Sequence, residues 1–262
     1  MEAENLLCQS ATPEFMEADS IQTQAYLETG YWWFVGRRRV IEKVLGKFFS
    51  KKNLRILDWG CGTGGNFPVL EKFGSVLGVD SSGEALKLCR QKGIESVVKA
   101  ASFSEFSSQT PNSTFDLVTF FDVLEHIPDD TGFLRAARDF LSPKGHVMMT
   151  VPAYKFLWSE LDNRVGHVRR YTRAELAAKL DQAGFEVVKS SHFIASMFLP
   201  IILYRFLGKI TGRSRTPQFS YVEFPQPINW ILTKLVYLES AILPFFSLPF
   251  GTSIILLAKV KS

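Results

Sequence analysis

The sequence predicts an α/β fold, a mostly parallel sheet with helices between its strands. Two observations carry this: short apolar runs alternate with segments of helical periodicity, and the first such run ends on a cluster of glycines. Ile41, Val44, Leu45 and Phe48 recur at helical spacing, which predicts an amphipathic helix over residues 33–49. Leu54–Asp58 reads as the first strand and "VLGVD", Val76–Asp80, as the second. Ser82 is placed to cap a helix that stops at Gly93. Val97–Ala101 is a short third strand, and Phe115–Phe121 a strongly apolar fourth. A helix over 132–141, a Ser-Pro-Lys-Gly turn and a fifth strand, His146–Val151, follow. Thr172 and Glu175 form a capping box for a helix closing at Gly184, and Phe185–Ser190 is the sixth strand. Residues 193–251 are strongly apolar, and "TSIILLAKV", Thr252–Val260, reads as a last strand.

Length and composition fit such a domain with an added element. The chain has 262 residues, 46% of them hydrophobic, 23 of them Phe, which excludes a disordered protein. The net charge of +4 is too small to argue for nucleic acid. Its distribution is uneven: residues 1–28 carry six acids and no Lys or Arg. Bases gather at Arg37-Arg38-Arg39, at Lys51-Lys52, and within 164–173 and 205–215. Cys8, Cys61 and Cys89 have neither disulfide nor metal-ligand spacing, so a reducing compartment is expected. The acidic N-terminus lacks the basic and apolar regions of a signal peptide, and a cytoplasmic protein is expected.

"RILDWGCGTGGNF", Arg55–Phe67, satisfies two ligand fingerprints. Gly60, Gly62 and Gly65 spell the dinucleotide pattern G-x-G-x-x-G, while Gly60, Gly62 and Gly64 spell G-x-G-x-G behind Asp58. A dinucleotide brings a pyrophosphate to the helix N-terminus, where an acid before the glycines does not help. S-adenosylmethionine brings a sulfonium and an ammonium, which Asp58 attracts. Asp80 suits a ribose diol in both cases. Charge therefore favours the methyl donor, and the match through Gly65 reads as incidental.

"ILDWGCGTG", "VLGVD", "FDLVTFFDVLEHIPD" and "FLSPKGHVMMTVP" follow one another in the order and spacing of the class I S-adenosylmethionine-dependent methyltransferases, which the chain resembles over about 31–192 and 252–260. The subgroup it is similar to includes the quinone-biosynthesis enzymes. The resemblance implies a Rossmann-like, doubly wound, seven-stranded sheet with an antiparallel last strand. It divides the chain into an N-terminal acidic segment (1–30), the methyltransferase domain (31–192 with 252–262) and an apolar helical insert (193–251). It also implies that Asp58, Gly60, Cys61 and Gly62 line the methionine end and that Asp80 and Ser81 meet the ribose. Phe121 would lie beside the cofactor, and Arg37, in competition with Arg38 and Arg39, would meet the methionine carboxylate. Relatives often carry an Asp near the adenine amine where this chain reads "KAASFSEF", so Ala101, Ser102 and Phe103 are expected to meet adenine instead, through backbone and ring faces.

Methyl transfer is an in-line displacement in which alignment does most of the work, and a base is needed only when the acceptor must lose a proton. "DVLEHIPD" sets Asp122, Glu125 and His126 at the carboxyl edge of the sheet, where open α/β proteins bind ligands. His126 is the first candidate base and Asp122 an acceptor contact. In the quinone O-methyltransferases a similar acid-x-x-Glu-His run is associated with a divalent metal; Asp122 replaces the usual Glu here, and no metal is expected. In "DNRVGHVRRYT", Asp162–Thr172, His167 is a second catalytic candidate, and Arg169, Arg170 and Tyr171 are candidate contacts to an anionic or phenolic acceptor. A loop that pairs its arginines with the acidic N-terminus is the competing reading.

Relatives need only a short connection where this chain spends nearly sixty residues, 193–251. Ser240–Ala258 holds nineteen residues without a charge, enough to span a membrane, but Pro244, Pro249 and Gly251 interrupt it. Three readings stay open: a cap over the site, a dimer contact, or a helical surface lying in a membrane interface. The last suits Tyr204, Trp230 and Tyr237 beside Arg205, Lys209, Arg213, Arg215 and Lys234. A peripheral methyltransferase on the inner membrane face, acting on a lipid-like or hydrophobic acceptor, is expected, with a soluble O-methyltransferase as the alternative. A nucleic-acid methyltransferase is disfavoured, because "FDVLEH" replaces the expected Asn/Asp-Pro-Pro-aromatic run. A dinucleotide-dependent oxidoreductase and a non-catalytic binding module complete the field.

Overall fold

The structure, a computed structural model, describes residues 18–50, 53–210 and 224–261, with backbone alone for 18–20, 205, 206 and 208–210. The acids before Ala18, Lys51, Lys52, Arg213, Arg215 and the side chains of Arg205 and Lys209 therefore lie outside the described residues.

Two helices, α1 (Ala18–Gly30) and α2 (Trp32–Phe48), lead into β1 (Leu54–Trp59). Then come α3 (Phe67–Leu70), β2 (Gly74–Asp80), α4 (Gly83–Gln91), β3 (Val97–Lys99), α5 (Phe103–Gln109) and β4 (Phe115–Phe121). A 3-10 turn, Leu124–His126, precedes α6 (Asp130–Arg138) and β5 (Leu141–Pro152). After α7 (Glu160–Arg164), α8 (Arg173–Gln182) and β6 (Phe185–Phe193), the insert forms α9 (Phe198–Ile210) and α10 (Gln226–Ile242), and β7 (Ser253–Val260) closes the fold. Ser82 caps α4 and Thr172 with Glu175 caps α8, as their sequences predict. The helix expected over 132–141 ends at Arg138, because the next strand begins at Leu141 rather than His146.

The sheet has the order β3-β2-β1-β4-β5-β7-β6. Strands β1 to β5 are parallel, and β7 runs antiparallel between β5 and β6, pairing Ile255 with Thr150 on one side and Ser191 on the other. Side chains alternate across the pleat, so each strand feeds two cores. Ile56, Leu117, Met148 and Ile255 pack with α2 and α10 on one face, and Leu57, Val118, Met149 and Ile254 with α5, α6 and α8 on the other. Strand order reverses between β1 and β4, so the loops leaving their carboxyl ends diverge and open a crevice.

The insert is anchored to the domain on one side. Val236 of α10 lies against Gly36 of α2, where a Cβ would approach it to 2.7 Å. Asn229 bridges the break between α1 and α2, accepting from Trp32 N (2.8 Å) and donating to Gly30 O (2.9 Å). That contact satisfies one backbone donor that a helix start leaves open. The outer side of α10 and the turn after it stay apolar and exposed: Trp230 is 61% exposed, Leu238 69% and Phe246 70%. No helix among the described residues is long and apolar enough to cross a membrane; the charge-free stretch 240–258 holds the end of α10, a turn and part of β7.

Candidate active site

A cavity of about 490 Å³ occupies the crevice. The glycine loop forms its floor. Gly60 (φ +73°), Gly62 (φ +55°) and Gly64 (φ +80°) all adopt the left-handed conformation that side chains disfavour. At Gly60 a Cβ would also lie 2.5 Å from Val123 Cγ2. Gly65 is not left-handed; a Cβ there would meet the Glu28 carboxylate of α1. The backbone thus requires glycine at the G-x-G-x-G positions. Asp80, at the end of β2, accepts from Gly62 N and Ser82 N, each at 2.8 Å. Burial pushes its carboxyl up, while those backbone donors oppose the shift.

At the end of β4, Phe121 lines the cavity and Asp122 turns the chain at φ +57°. Asp122 pairs with Arg37, whose guanidinium lies 4.6 Å from the Trp33 ring and 5.5 Å from that of Phe34. Within the basic triplet, Arg37 alone lines the cavity. Arg38 donates to Glu28 O (2.7 Å), and Arg39 pairs with Glu42 (2.8 Å).

His126 and His167 face each other in the wall, ring centres 4.8 Å apart. Asp162 of α7 holds His167 by Nδ1 at 2.8 Å. The same carboxylate takes a fork of two hydrogen bonds from Arg170, at 2.7 and 2.9 Å, and two more from Ser159. Burial alone would raise Asp162, but the donors His167, Arg170 and Ser159 outweigh it and hold the carboxyl well below its usual range. Burial, then the His167 charge, push His126 down to about 4. Glu125 is fully buried, lies 3.7 Å from His167 Nε2, and has no hydrogen-bond partner for either oxygen among the described residues. Burial and the Asp122 charge hold its carboxyl well above the ordinary range. Glu125, His126 and His167 present ligand atoms within 4.8 Å of one another, a carboxylate and two imidazoles of the kind that suit zinc-like ions.

Of the expected contact residues, Arg37, Gly60, Cys61, Gly62, Asp80, Ser81, Ala101, Phe121, Asp122, His126, His167 and Arg170 line this cavity. Five stand outside its wall, Phe103 among them, its ring centre 4.0 Å from that of Trp59 in the core. Asp58 lies behind the loop, accepting from the Thr119 hydroxyl (2.6 Å), and burial pushes it up to about 7. Ser102 caps α5 by accepting from Glu105 N (3.1 Å). Arg169 and Tyr171 both turn onto Asp130, at 2.6 and 2.9 Å, and Tyr171 is buried there. Reasoning from sequence did not single out Gln24, Glu28 or the orienting role of Asp162. Asp162 left a signal in Ser-x-x-Asp, a capping box at the start of α7. Insert residues Ile194, Met197 and Ile201 also enter the wall.

The methyltransferase-domain family matches residues 34–190. A ubiquinone biosynthesis O-methyltransferase of Xanthomonas euvesicatoria pv. vesicatoria is 30% identical over 51% of this chain and 63% of its own length. One of Aeromonas salmonicida is 32% identical over 54% of this chain and 66% of its own. The match thus spans less than two thirds of either relative's length. The phospholethanolamine N-methyltransferase 2 of Haemonchus contortus, solved with phosphomonomethylethanolamine and S-adenosylhomocysteine, shares the fold at a TM-score of 0.59 and 16% identity, over 95% of this chain and 59% of that one. With the family match covering more than half of its length, the chain belongs to the methyltransferase-domain family.

Proposed function

We propose that this chain is an S-adenosylmethionine-dependent methyltransferase that acts on a hydrophobic or lipid-like acceptor at a membrane surface, leaving S-adenosylhomocysteine. The observation that carries the cofactor is the left-handed glycine floor with Asp80 tied across it. In this reading the nucleoside lies along Asp80, Ser81 and Ala101 with Phe121 beside it, and the amino-acid end lies over Gly60–Gly62 toward Arg37. Asp58 contributes from behind the loop: a cationic ligand lowers the cost of ionising its buried carboxyl.

The acceptor then approaches from the side of His126 and His167. A hydroxyl there gives its proton to His167 Nε2 as its oxygen attacks the methyl carbon, and Asp162 stabilises the imidazolium that forms. The low basicity of His126 makes it a wall rather than the base. No step of this mechanism is routed through a metal. Were one bound, Glu125 with His126 and His167 would hold it, and its chemistry would be to polarise the acceptor oxygen. The names of the two curated relatives support a hydroxyl acceptor.

What supports the membrane is the exposed apolar side of the insert. Lys47 lies 4.6 Å from the Phe245 ring and Lys234 lies 5.5 Å from that of Trp230, so cations border an apolar surface. The single acid on α10, Glu239, is turned inward onto Ala195 N (3.0 Å) and Ser196 N (2.8 Å). Buried free Cys61 and Cys89 suit a reducing, cytoplasmic side. A second reading, a soluble O-methyltransferase with the insert as lid, draws on Ile194, Met197 and Ile201 in the cavity wall. Flotation with anionic and neutral vesicles separates the two: co-flotation is expected, and absence from both removes the membrane part. Calorimetry with S-adenosylhomocysteine tests the cofactor part, with binding expected and its loss expected in Gly60→Arg.

A further inference from the structure

Helix α1 brings to the glycine loop an acid that no loop motif announces. Glu28 is only 6% exposed, yet it lines the cavity. Its Oε2 accepts from the Thr63 hydroxyl, and its Oε1 lies 3.3 Å from Gln24 Nε2. Gln24, one turn earlier, sits 3.7 Å from the Cβ position of Gly62, and the Glu28 carboxyl carbon 2.5 Å from that of Gly65. The carboxyl end of α1 is therefore laid across residues 62–65, on the floor itself.

The other acids near the loop are committed elsewhere. Asp58 is behind the wall on Thr119, Asp80 is held by two backbone donors, and Asp122 is paired with Arg37. Lys92 approaches Glu28 at 3.7 Å, but its side chain is 38% exposed and also donates to Thr63 O (2.9 Å), so it offsets the Glu28 charge only in part. A buried carboxylate acts on a nearby cation with less screening than an exposed one.

We propose that Glu28 is a further cofactor-binding residue, whose carboxylate meets the ammonium of the cofactor's amino-acid end, with Gln24 beside it. The proposal rests on the S-adenosylmethionine reading above and assigns to α1 a part of the binding site.

Two thioether nucleosides test it by calorimetry on the full chain: S-adenosylhomocysteine, which carries the amino-acid end, and 5′-methylthioadenosine, which lacks it. Glu28→Gln is expected to weaken the first about tenfold to a hundredfold and to leave the second within about twofold. Glu28→Asp, which keeps the charge but shortens its reach, is expected to fall between wild type and Glu28→Gln for the first ligand alone, and it carries the comparison if Glu28→Gln does not fold. Equal losses for both ligands would mean that Glu28 only seats α1 on the loop, and no loss would mean that it faces no ligand; either overturns the proposal. A wild-type protein that binds neither nucleoside overturns the cofactor reading itself, a result distinct from both.

Discussion

At the glycine-loop end of the cavity, polar groups are tied by neighbours a few residues away or on the adjacent strand: Asp80 to Gly62 N and Ser82 N, Gly60 N and Cys61 N to Val79 O. At the histidine end, the groups come from the turn after β4 and from 159–170, and Glu125 stays buried with neither carboxyl oxygen partnered among the described residues. The first end is pre-organised by backbone, the second by side chains over a long sequence gap. In the proposed reading, backbone pre-organisation fixes what nucleoside can lie at the first end, while side-chain assembly leaves the acceptor at the second to be set by whatever surrounds it, the insert included.

Substitutions at the loop sharpen that contrast most. Gly60→Ala forces a side chain into φ +73° against Val123, and it is expected to lower S-adenosylhomocysteine affinity more than about a hundredfold, the scale of a few kcal/mol of strain. Gly65→Ala keeps the backbone but displaces the Glu28 carboxylate, and it is expected to lose about what Glu28→Gln loses, less than Gly60→Ala. Similar losses by titration calorimetry would mean that the left-handed backbone is not what matters.

At the other end, His167→Ala is expected to lower kcat about 10²- to 10³-fold with little change in acceptor KM. Asp162→Asn is expected to give a smaller kcat loss, with the pH profile shifted. Arg169→Gln, removed from the cavity and paired with Asp130, is expected to lower Tm and leave kcat nearly unchanged. If Arg169→Gln lowers kcat as His167→Ala does, the placement of the acceptor end is wrong.

The buried acid behind the loop gives a pH-dependent effect. Asp58 titrates at about 7 in the folded protein against an ordinary 3.8, so between these values the folded state holds a proton that the unfolded chain has lost. Folding is therefore penalised as pH rises through this window, and the penalty persists above it. Asp58→Asn is expected to stabilise the ligand-free protein at pH 8 by on the order of 3 kcal/mol, with the gain gone near pH 4. Urea unfolding across that range measures it, and a pH-independent difference would refute the assignment.

The smallest effect is expected at the outer surface of the insert. Trp230→Ser with Leu238→Ser is expected to cut vesicle binding several-fold without lowering Tm, since both side chains are mostly exposed. Unchanged binding would move the membrane contact elsewhere or remove it.

What the sequence made legible follows the same divide. The positions of the strands along the chain, the loop and Asp80 are local signals, because the chemistry of tight turns and apolar runs is written in contiguous residues. Ser102 stands outside the cavity wall for a local reason: Ser-x-x-Glu before Phe106 is a helix cap, and the cap takes the hydroxyl. Arg169 and Tyr171 stand outside it for a distant one, because their partner, Asp130, is about forty residues upstream and nothing in "HVRRYT" points to it. The charge of Asp58 pointed to a cationic ligand, yet its position behind the wall depends on Thr119 of the neighbouring strand. Helix α1 left little apolar periodicity, so the acid it brings to the loop emerges only from packing.

The measurement closest to the central claim is a parallel calorimetric titration of the wild-type chain with S-adenosylhomocysteine and with NAD⁺. A loop selected by charge for an ammonium-bearing, pyrophosphate-free ligand is expected to bind the first at one site and to show no binding of the second. Binding of NAD⁺ in preference, or of neither, would contradict it.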